Sequence, residues 1–405
     1  MRLLPIAGLL ALGLLPVIGR FLPATLSWGF HHAAYIPWWS VAILLAAWAA
    51  LLIPPLHRAL DRLLFDRLAA ALFGRSPLPA FLAAAILCAA FVLLTTPTRL
   101  LGDGVLVGEL AGLGNPFRIH DMMDYLLHRL ALTAIGKAGS KEVSFQIYRW
   151  GSWIAGFLAA LTALLILRRA RMNPAGKMLT FSLFILAAPT LIYCGYVESY
   201  AYLSIGMLGF LWTGAMAQRG ECPPWVPGLF YGIAFFFHTT AVFALPALLL
   251  LVFFPGARRK RRPAWPLQIL LPALALPAAA IAIHLALGYD AGWFRRDFIE
   301  SKNQRQMLIG LTGPHGLLGL RHLKDVANWL LLVAPVTGWL IVSKRRALLA
   351  RLREPEIAFL AIQVAAFLAP FLLLDRKLGA ARDWDLMTPQ VAGFALLAAR
   401  LWEAD

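Results

Sequence analysis

The sequence predicts an all-α fold, a bundle of helices that span a membrane, and three observations support this. The 405 residues are 60% hydrophobic and only 14% charged. The mean hydropathy of +0.73 lies far outside the range of soluble globular proteins. Apolar runs follow one another along the whole chain, and most charged residues lie between them. Since one crossing needs ~20 apolar residues, we expect about twelve spans, some of them short.

The clearest spans follow one another in chain order. They are 3–19, 36–54, 79–95, 147–167, 178–194, 200–217, 266–287, 326–342, 356–374 and 387–402. The apolar run 226–254 is too long for one ordinary helix, and His238-Thr-Thr interrupts it, so we expect two short helices that form a hairpin. The chain then divides into an N-terminal transmembrane hairpin with an amphipathic segment, residues 1–78, and a transmembrane core, residues 79–405.

The basic residues predict the orientation of the spans. They cluster at Arg58/Arg62/Arg67/Arg75, Arg168/Arg169/Arg171/Lys177, Arg258–Arg262 and Lys344–Arg346. With the hairpin counted as two crossings, the positive-inside rule places all four clusters and both termini in the cytoplasm. The net charge of +17 therefore reflects topology. Nucleic acid is not an expected partner, because binding it requires a basic face on a soluble domain and the sequence contains no such domain.

Most acidic residues fall on the outer side in this topology, which is where we expect the chemistry. The first large outer loop, 96–146, contains a predicted amphipathic helix over residues 120–130. At 100° per residue, Asp121, Asp124 and His128 share one face, and leucines and methionines occupy the other. This pattern predicts a helix at the membrane surface, with its apolar side towards lipid and its acidic side towards solvent. A solvated face without chemistry is the alternative.

Two outer carboxylates are candidate catalytic residues. Asp103 lies between two glycines, which permit a tight turn and close approach of a substrate. A carboxylate in that position can orient or deprotonate an acceptor hydroxyl. Glu198 lies in a segment with three tyrosines, Tyr196 among them, and an acid at a membrane interface is costly unless it is paired or solvated. An ordinary Gly-Asp-Gly turn and a belt of interfacial tyrosines are the alternatives.

Substrate-binding candidates lie in three other outer segments. The short connection 375–386 contains Arg382, Asp383, Trp384 and Asp385. Arginine binds phosphate in a bidentate manner, and Trp384 can stack on a sugar ring. Arg295 and Arg296, in the loop 288–325, can neutralise an anionic lipid headgroup. His238 lies at the outer tip of the expected hairpin, where a satisfied polar group without function is the more common outcome.

Other classes of site lack support in the sequence. The three cysteines are not spaced as metal ligands or as a disulfide framework. No acid or base lies in the middle of a confident span, as a proton or sodium relay would require. The sequence also contains no P-loop, no Gly-x-Ser-x-Gly and no His-Glu-x-x-His motif.

These motifs together resemble the GT-C superfamily of integral membrane glycosyltransferases. Gly102-Asp103-Gly104 followed by the helix at 120–130 is similar to the family's outer-loop Asp and its surface helices. Gly228–His238, continuing to Pro246, resembles the family's glycine-rich hairpin, and Tyr196–Tyr200 and Ala381–Asp385 resemble elements of uncharacterised bacterial members. The resemblance covers roughly 95–390. One departure is that Asp103 follows the third predicted span, where the family's Asp follows the first.

The resemblance implies an enzyme of a bacterial inner membrane that transfers a hexose or pentose at the periplasmic face. The donor would be a polyprenyl-phosphate-linked sugar, the acceptor a glycan, lipid or protein, and the transfer inverting. Asp103 would be the base, and Glu198 would hydrogen-bond the sugar or help to hold a divalent cation such as Mg²⁺ or Mn²⁺. Arg382, with Arg295 or Arg296, would stabilise the departing phosphate. The implied substrate-binding residues also include Asp121, Asp124, Tyr196, His238, Asp383, Trp384 and Asp385.

Three other functions remain open at this point. A glycan polymerase or ligase would share the topology but rely on basic loop residues instead of acids. A transporter or flippase of a lipid-linked substrate would need a polar path through the bundle. A non-enzymatic assembly subunit would tolerate changes at Asp103 and Glu198 together.

Overall fold

The computed structural model describes most of the chain. The described residues are 3–51, 53–95, 104–113, 118, 120–137, 139–254, 256, 264–290, 292, 295, 316–373, 381, 384–386 and 388–403. Asp103, Arg296, Arg382 and Asp383 lie outside them. Every regular element in the described residues is a helix, so the all-α prediction is confirmed there.

Within the described residues, nineteen α-helices follow in chain order, with short 3₁₀ and π turns between some of them. They are α1 Leu3–Phe21, α2 Ala24–Ser27, α3 Trp38–Leu51, α4 Pro54–Leu60, α5 Asp66–Leu72, α6 Leu78–Leu93, α7 Gly104–Gly112, α8 Met122–Ala134, α9 Lys141–Arg169, α10 Pro174–Ile185, α11 Tyr200–Gln218, α12 Trp225–Phe237, α13 Leu245–Phe253, α14 Trp265–Ala286, α15 Leu320–Val333, α16 Pro335–Ser343, α17 Arg345–Arg351, α18 Pro355–Leu373 and α19 Val391–Glu403.

Four of the described helices, α9, α11, α14 and α18, are long and apolar enough to cross a membrane. The number is six if two bent helix pairs each count as one span, and four further apolar helices are shorter, at 10–17 residues. By length and composition the structure thus provides four to six candidate spans among the described residues, fewer than the twelve predicted. One cause of the difference is visible in the predicted span 326–342. This segment bends by 99° between α15 and α16, where Pro335 interrupts the helix.

The run 226–254 forms two short helical segments separated at His238, as expected. Gly228, near the start of α12, packs against the backbone of Ile269, near the start of α14. Trp265 Nε1, at the same end of α14, donates a hydrogen bond of 2.9 Å to Leu251 O near the end of α13. The start of α12 and the end of α13 therefore lie together beside α14, and the chain reverses between them at His238. The predicted hairpin is confirmed.

The long helices pack closely because small residues line their contacts. Ala155, Ala159 and Ala163 of α9 are fully buried, and Gly206 of α11 lies against the backbone of Ala234 in α12. Small residues of this kind let apolar helices approach one another without a large side chain between them. This packing fixes where the ends of the helices lie, and the ends carry the polar side chains.

The two ends of the bundle differ in their polar groups. At one end, which we call the site end, the start of α8, the start of α11 and the hairpin tip at His238 lie together. At the other, which we call the opposite end, arginines and glutamates form an ion-pair network. Its members are Arg219, Glu221, Glu356, Arg400 and Glu403.

Candidate functional site

A buried carboxylate, Asp121, joins three separate segments at the site end. It is the N-cap residue of α8 and is only 2% exposed. His238 Nε2, at the hairpin tip, lies 3.0 Å from its Oδ1, and Ser199 Oγ donates a hydrogen bond of 3.0 Å to the same oxygen. Arg118 Nε lies 2.5 Å from Oδ2. Asp121 therefore holds together the first outer loop, the hairpin tip and the start of α11.

The tautomer of His238 follows from its other ring nitrogen. The backbone N–H of Thr240 donates to Nδ1 at 3.1 Å, so Nδ1 is an acceptor and Nε2 carries the hydrogen given to Asp121. Thr239 then fixes the tip to the start of α8, since its N and its Oγ1 donate to His120 O at 2.9 and 3.2 Å. Both nitrogens of His238 are engaged within the protein.

The environment of Asp121 favours its ionised form. Burial by itself would raise the pKa of this carboxyl, but the positive charge of Arg118 and the hydrogen bonds from His238 and Ser199 outweigh that effect and hold the pKa below its usual value.

The backbone next to Asp121 has an unusual conformation. Met122, the next residue, has a φ of 34°, in the left-handed region that a methionine rarely adopts. Strain of this kind persists where the surrounding contacts impose it.

A second carboxyl, Asp124, lies one turn along α8 in a different environment. It is fully buried, and neither carboxyl oxygen has a hydrogen-bond partner among the described residues. His128 Nδ1 donates to the Asp124 backbone carbonyl at 2.7 Å and lies 3.4 Å from Oδ2. The His128 ring stacks on Tyr148 of α9 with centroids 3.8 Å apart. Burial raises the pKa of Asp124 above its usual value.

The predicted orientation of this helix is wrong. Asp121, Asp124 and His128 do share one face, but that face points into the protein, and the apolar Leu127 and Leu130 are exposed. The physical reason is that the partners of the acidic face, His238 and Tyr148, come from the hairpin tip and from α9. An acidic face that finds buried partners does not need solvent.

Glu198 lies in the segment between α10 and α11 and is 4% exposed. Gly195 bends this segment with a φ of +67°, and its N–H donates to Ser152 Oγ of α9 at 3.0 Å. The Ser199 N–H donates to Glu198 Oε2 at 3.3 Å, so Glu198 and Asp121 are linked through Ser199. Gly104, at the start of α7, packs directly against the carbonyl of Val197. The residue after Asp103 therefore touches the segment that carries Glu198.

The short connection before α19 reaches the same place. Trp384 and Asp385 are buried, and Trp329 Nε1 donates to Trp384 O at 3.0 Å. The rings of Tyr196 and Trp384 meet edge to face, 5.9 Å apart. Burial raises the pKa of Tyr196 above its usual range, and the negative charges of Asp385 and Glu198 raise it further. Tyr196 thus lies near two carboxylates that are far apart in the sequence.

The structure therefore brings most of the described candidates together. Glu198, Tyr196, His238, Asp121, Asp124, Trp384 and Asp385 all lie buried at the site end. Arg295 is exposed. Among the described residues, no group of three or more His, Cys, Asp and Glu side chains is arranged to hold a metal ion. The divalent cation stays a prediction.

Sequence reasoning did not single out three members of the cluster, Arg118, Ser199 and Tyr148. Arg118 precedes Asp121 by three residues, a spacing that permits an ion pair at a helix start. Ser199 directly follows Glu198, but a serine beside a glutamate is too common to indicate a contact. Tyr148 lies within a predicted span and gave no signal.

Taken together, these side chains offer a carboxyl with a lowered pKa, a carboxyl with a raised pKa, and a glutamate near the ring of Tyr196. Carboxylates and aromatic rings together can hydrogen-bond the hydroxyls of a sugar and stack on its apolar face. No protein-family model, curated protein or solved structure matches this chain, so the family resemblance rests on the motifs quoted above.

Proposed function

We propose that the chain is a membrane glycosyltransferase that moves a hexose or pentose from a polyprenyl-phosphate donor to an acceptor at the site end. One observation carries this proposal. Glu198, Tyr196, Trp384 and Asp385 are buried together at one end of a bundle of apolar helices, next to the Asp121–His238 pair. The GT-C resemblance of the same segments supports it.

The proposed topology places the site end at the periplasmic face of a bacterial inner membrane, with both termini in the cytoplasm. About twelve helices would cross or enter the bilayer, the short ones included. The distribution of arginine supports this orientation, because Arg75, Arg168, Arg219 and Arg400 all lie at the opposite end. The positive-inside rule assigns that end to the cytoplasm.

In the proposed reaction, the acceptor hydroxyl oxygen attacks the anomeric carbon from the face opposite the phosphate. The bond between that carbon and the phosphate oxygen breaks, and the phosphate keeps the electron pair. Asp103 takes the acceptor's proton, and Glu198 hydrogen-bonds the sugar hydroxyls. Arg382, with Arg295 or Arg296, compensates the charge that develops on the departing phosphate. A single displacement of this kind inverts the anomeric configuration.

Asp121 and His238 are positioning residues in this scheme. Asp121 already accepts hydrogen bonds from His238 and Ser199 and pairs with Arg118, and its lowered pKa makes it a poor base. His238 uses both ring nitrogens within the protein. The pair therefore holds the hairpin tip and the Glu198 segment in place.

The test is transfer by the purified full-length protein in lipid nanodiscs. Undecaprenyl-phosphate-linked hexoses and pentoses are supplied one at a time, with a bacterial cell-envelope extract as the source of acceptors. Released undecaprenyl phosphate and glycosylated product are measured by mass spectrometry. We expect one donor to be consumed, and Glu198→Gln, which weakens the hydrogen bonds to the sugar hydroxyls, to lower the rate by ~10–10²-fold.

The matched control is Glu142→Gln. Glu142 lies in the first turn of α9 and is exposed, so the same chemical change there should leave the rate unchanged. If no donor is consumed, or if Glu198→Gln turns over like the unmodified protein, the proposed function is wrong. A larger loss from Arg295→Ala than from Asp103→Asn would favour the polymerase or ligase alternative instead.

A further inference from the structure

We infer that an arginine-lined cavity at the opposite end binds the phosphate headgroup of an anionic membrane lipid. The cavity has a volume of about 370 Å³, within the range of small-ligand sites. It is lined by Gly74, Arg75, Pro77, Leu165, Arg168 and Arg169. The inference is independent of the proposed glycosyltransferase function, because these residues lie far from Glu198 along α9 and its neighbours.

The charge of the cavity is uncompensated within the described protein. Three of its six lining residues are arginines, none is acidic, and none of the three arginines forms a salt bridge with another described residue. Three arginines around one cavity give it a positive potential, and an anion bound there lowers the repulsion among their charges. The cavity therefore selects a negatively charged ligand.

Arg168 is already held in position for such a ligand. Its Nη2 donates a hydrogen bond of 2.6 Å to the backbone carbonyl of Arg75, and Lys177 Nζ donates to the Arg168 carbonyl at 3.2 Å. Its Nη1 is buried and has no hydrogen-bond partner in the described part of the chain. A buried donor without an acceptor is costly. Arginine binds phosphate with a planar pair of donors, so the guanidinium of Arg168 is suited to such a ligand.

The helix ends around the cavity do not oppose the anion. Pro77 is the N-cap residue of α6, so the positive end of that helix dipole faces the cavity. α9 ends here with the opposite sign, but Arg168 and Arg169 lie in its last turn and Lys177 covers one of its free carbonyls. The three arginine charges exceed the partial charge of about half a unit at that helix end.

The surface next to the cavity indicates a lipid in preference to free phosphate. Leu78, Phe81 and Leu82 of α6 and Leu165 of α9 are 59%, 49%, 51% and 40% exposed. The rings of Phe81 and Phe157 meet edge to face, 5.4 Å apart, and join α6 to the candidate span α9. Acyl chains can therefore lie along an exposed apolar surface that begins at the arginines. A phospholipid with a net negative headgroup satisfies both parts of this site.

The test is native mass spectrometry of the full-length protein in detergent, titrated with phosphatidylglycerol or phosphatidylcholine. We expect phosphatidylglycerol to bind in preference. Replacing all three arginines by Arg75→Gln, Arg168→Gln and Arg169→Gln should weaken its binding by roughly a hundredfold, since each arginine contributes a factor of about five. Arg168→Gln alone, which is less disruptive to folding, should weaken it by about fivefold or more.

The matched control removes three other arginines from the same end. Arg345, Arg346 and Arg353 are exposed and lie outside the cavity, so changing all three to Gln removes the same charge and should leave phosphatidylglycerol binding unchanged. An equal loss in this control would show general attraction to surface charge and would overturn the inference. The lipid assignment would also fail if inorganic phosphate displaced phosphatidylglycerol at equal concentration, because the acyl chains would then contribute nothing.

Discussion

His238 Nε2 donates a hydrogen bond of 3.0 Å to Asp121 Oδ1, although the two residues lie in elements far apart in the sequence. Both side chains are almost fully buried. A buried carboxylate is stable only when it is paired and hydrogen-bonded, and here the pairing also fixes the hairpin tip beside the start of α8. The same hydrogen bond therefore stabilises a charge and determines the shape of the site end.

We expect Asp121 and His238 to be energetically coupled. Asp121→Asn should lower the free energy of unfolding by about 3–5 kcal/mol, because it removes the charged member of a buried ion pair. His238→Phe keeps a ring but removes both nitrogens, and should cost about 1.5–3 kcal/mol. The double variant should fall short of the sum by ~0.5–3 kcal/mol. Denaturant unfolding in detergent measures all three, and strict additivity would contradict the coupling.

Asp124 should show the opposite pH dependence from Asp121. Burial raises the pKa of Asp124, so ionisation of this carboxyl destabilises the folded state as the pH rises above its ordinary value of about 3.9. Asp124→Asn cannot ionise, and it should become increasingly stable relative to the unmodified protein from about pH 4 upwards until the folded-state pKa is passed. Thermal unfolding in detergent between about pH 4 and pH 8 measures this.

The pH dependence of the stability of Asp121→Asn should be compared with that of Asp124→Asn. The pKa of Asp121 is lowered, so its ionised form contributes stability above about pH 3.9, and this contribution is lost as the pH falls below that value. The deficit of Asp121→Asn should therefore be largest near neutral pH and shrink in acid. Parallel pH profiles for the two variants would contradict the opposite directions of the two pKa shifts.

Gly104 should be intolerant of a side chain. A Cβ at this position would overlap the backbone carbonyl of Val197, so Gly104→Ala must push α7 away from the Glu198 segment. We expect a loss of about 1–3 kcal/mol in the free energy of unfolding, as for other overpacked sites, and a lower rate of the proposed sugar transfer. Gly338→Ala is the control. Gly338 lies in α16 with open space around it, so alanine there should raise stability by up to about 1 kcal/mol.

Sequence reasoning predicted the local features of the site better than its orientation. The break at His238 was visible because His-Thr-Thr interrupts an apolar run, and the shared face of Asp121, Asp124 and His128 follows from helical periodicity. The direction of that face was not predictable, because it depends on Tyr148 and His238, which reach α8 from distant parts of the chain.

The number of spans shows that averaged hydropathy does not reveal where an apolar segment bends. Averaging over the run 326–342 gives an apolar segment of the right length, but Pro335 divides it into two helices at 99° to one another. The proline is visible in the sequence. Whether it kinks a continuous helix or separates two helices depends on the packing around it, such as the burial of Val333 and Leu340 on either side.

The opposite end offers a prediction in which two neighbouring glutamates should behave differently. Glu356, at the start of α18, is 5% exposed and pairs with Arg219 and with Arg400, the latter at 2.9 Å. Glu354 pairs with Arg351 at 2.8 Å, but its side chain is 48% exposed. Removing Glu356 takes a buried partner from both arginines, which keep Glu221 and Glu403, whereas an exposed pair is screened by water.

Glu356→Gln should therefore lower the free energy of unfolding by about 1.5–3 kcal/mol, and Glu354→Gln by at most about 1 kcal/mol. Denaturant unfolding in detergent distinguishes them, and added salt should reduce the small effect of Glu354→Gln further. The proposed sugar transfer at the site end provides a second readout. Because Glu356 lies at the far end of the bundle from Glu198, its variant should lose transfer only in proportion to the unfolded fraction. A selective loss of transfer in folded Glu356→Gln protein would show instead that the two ends are coupled.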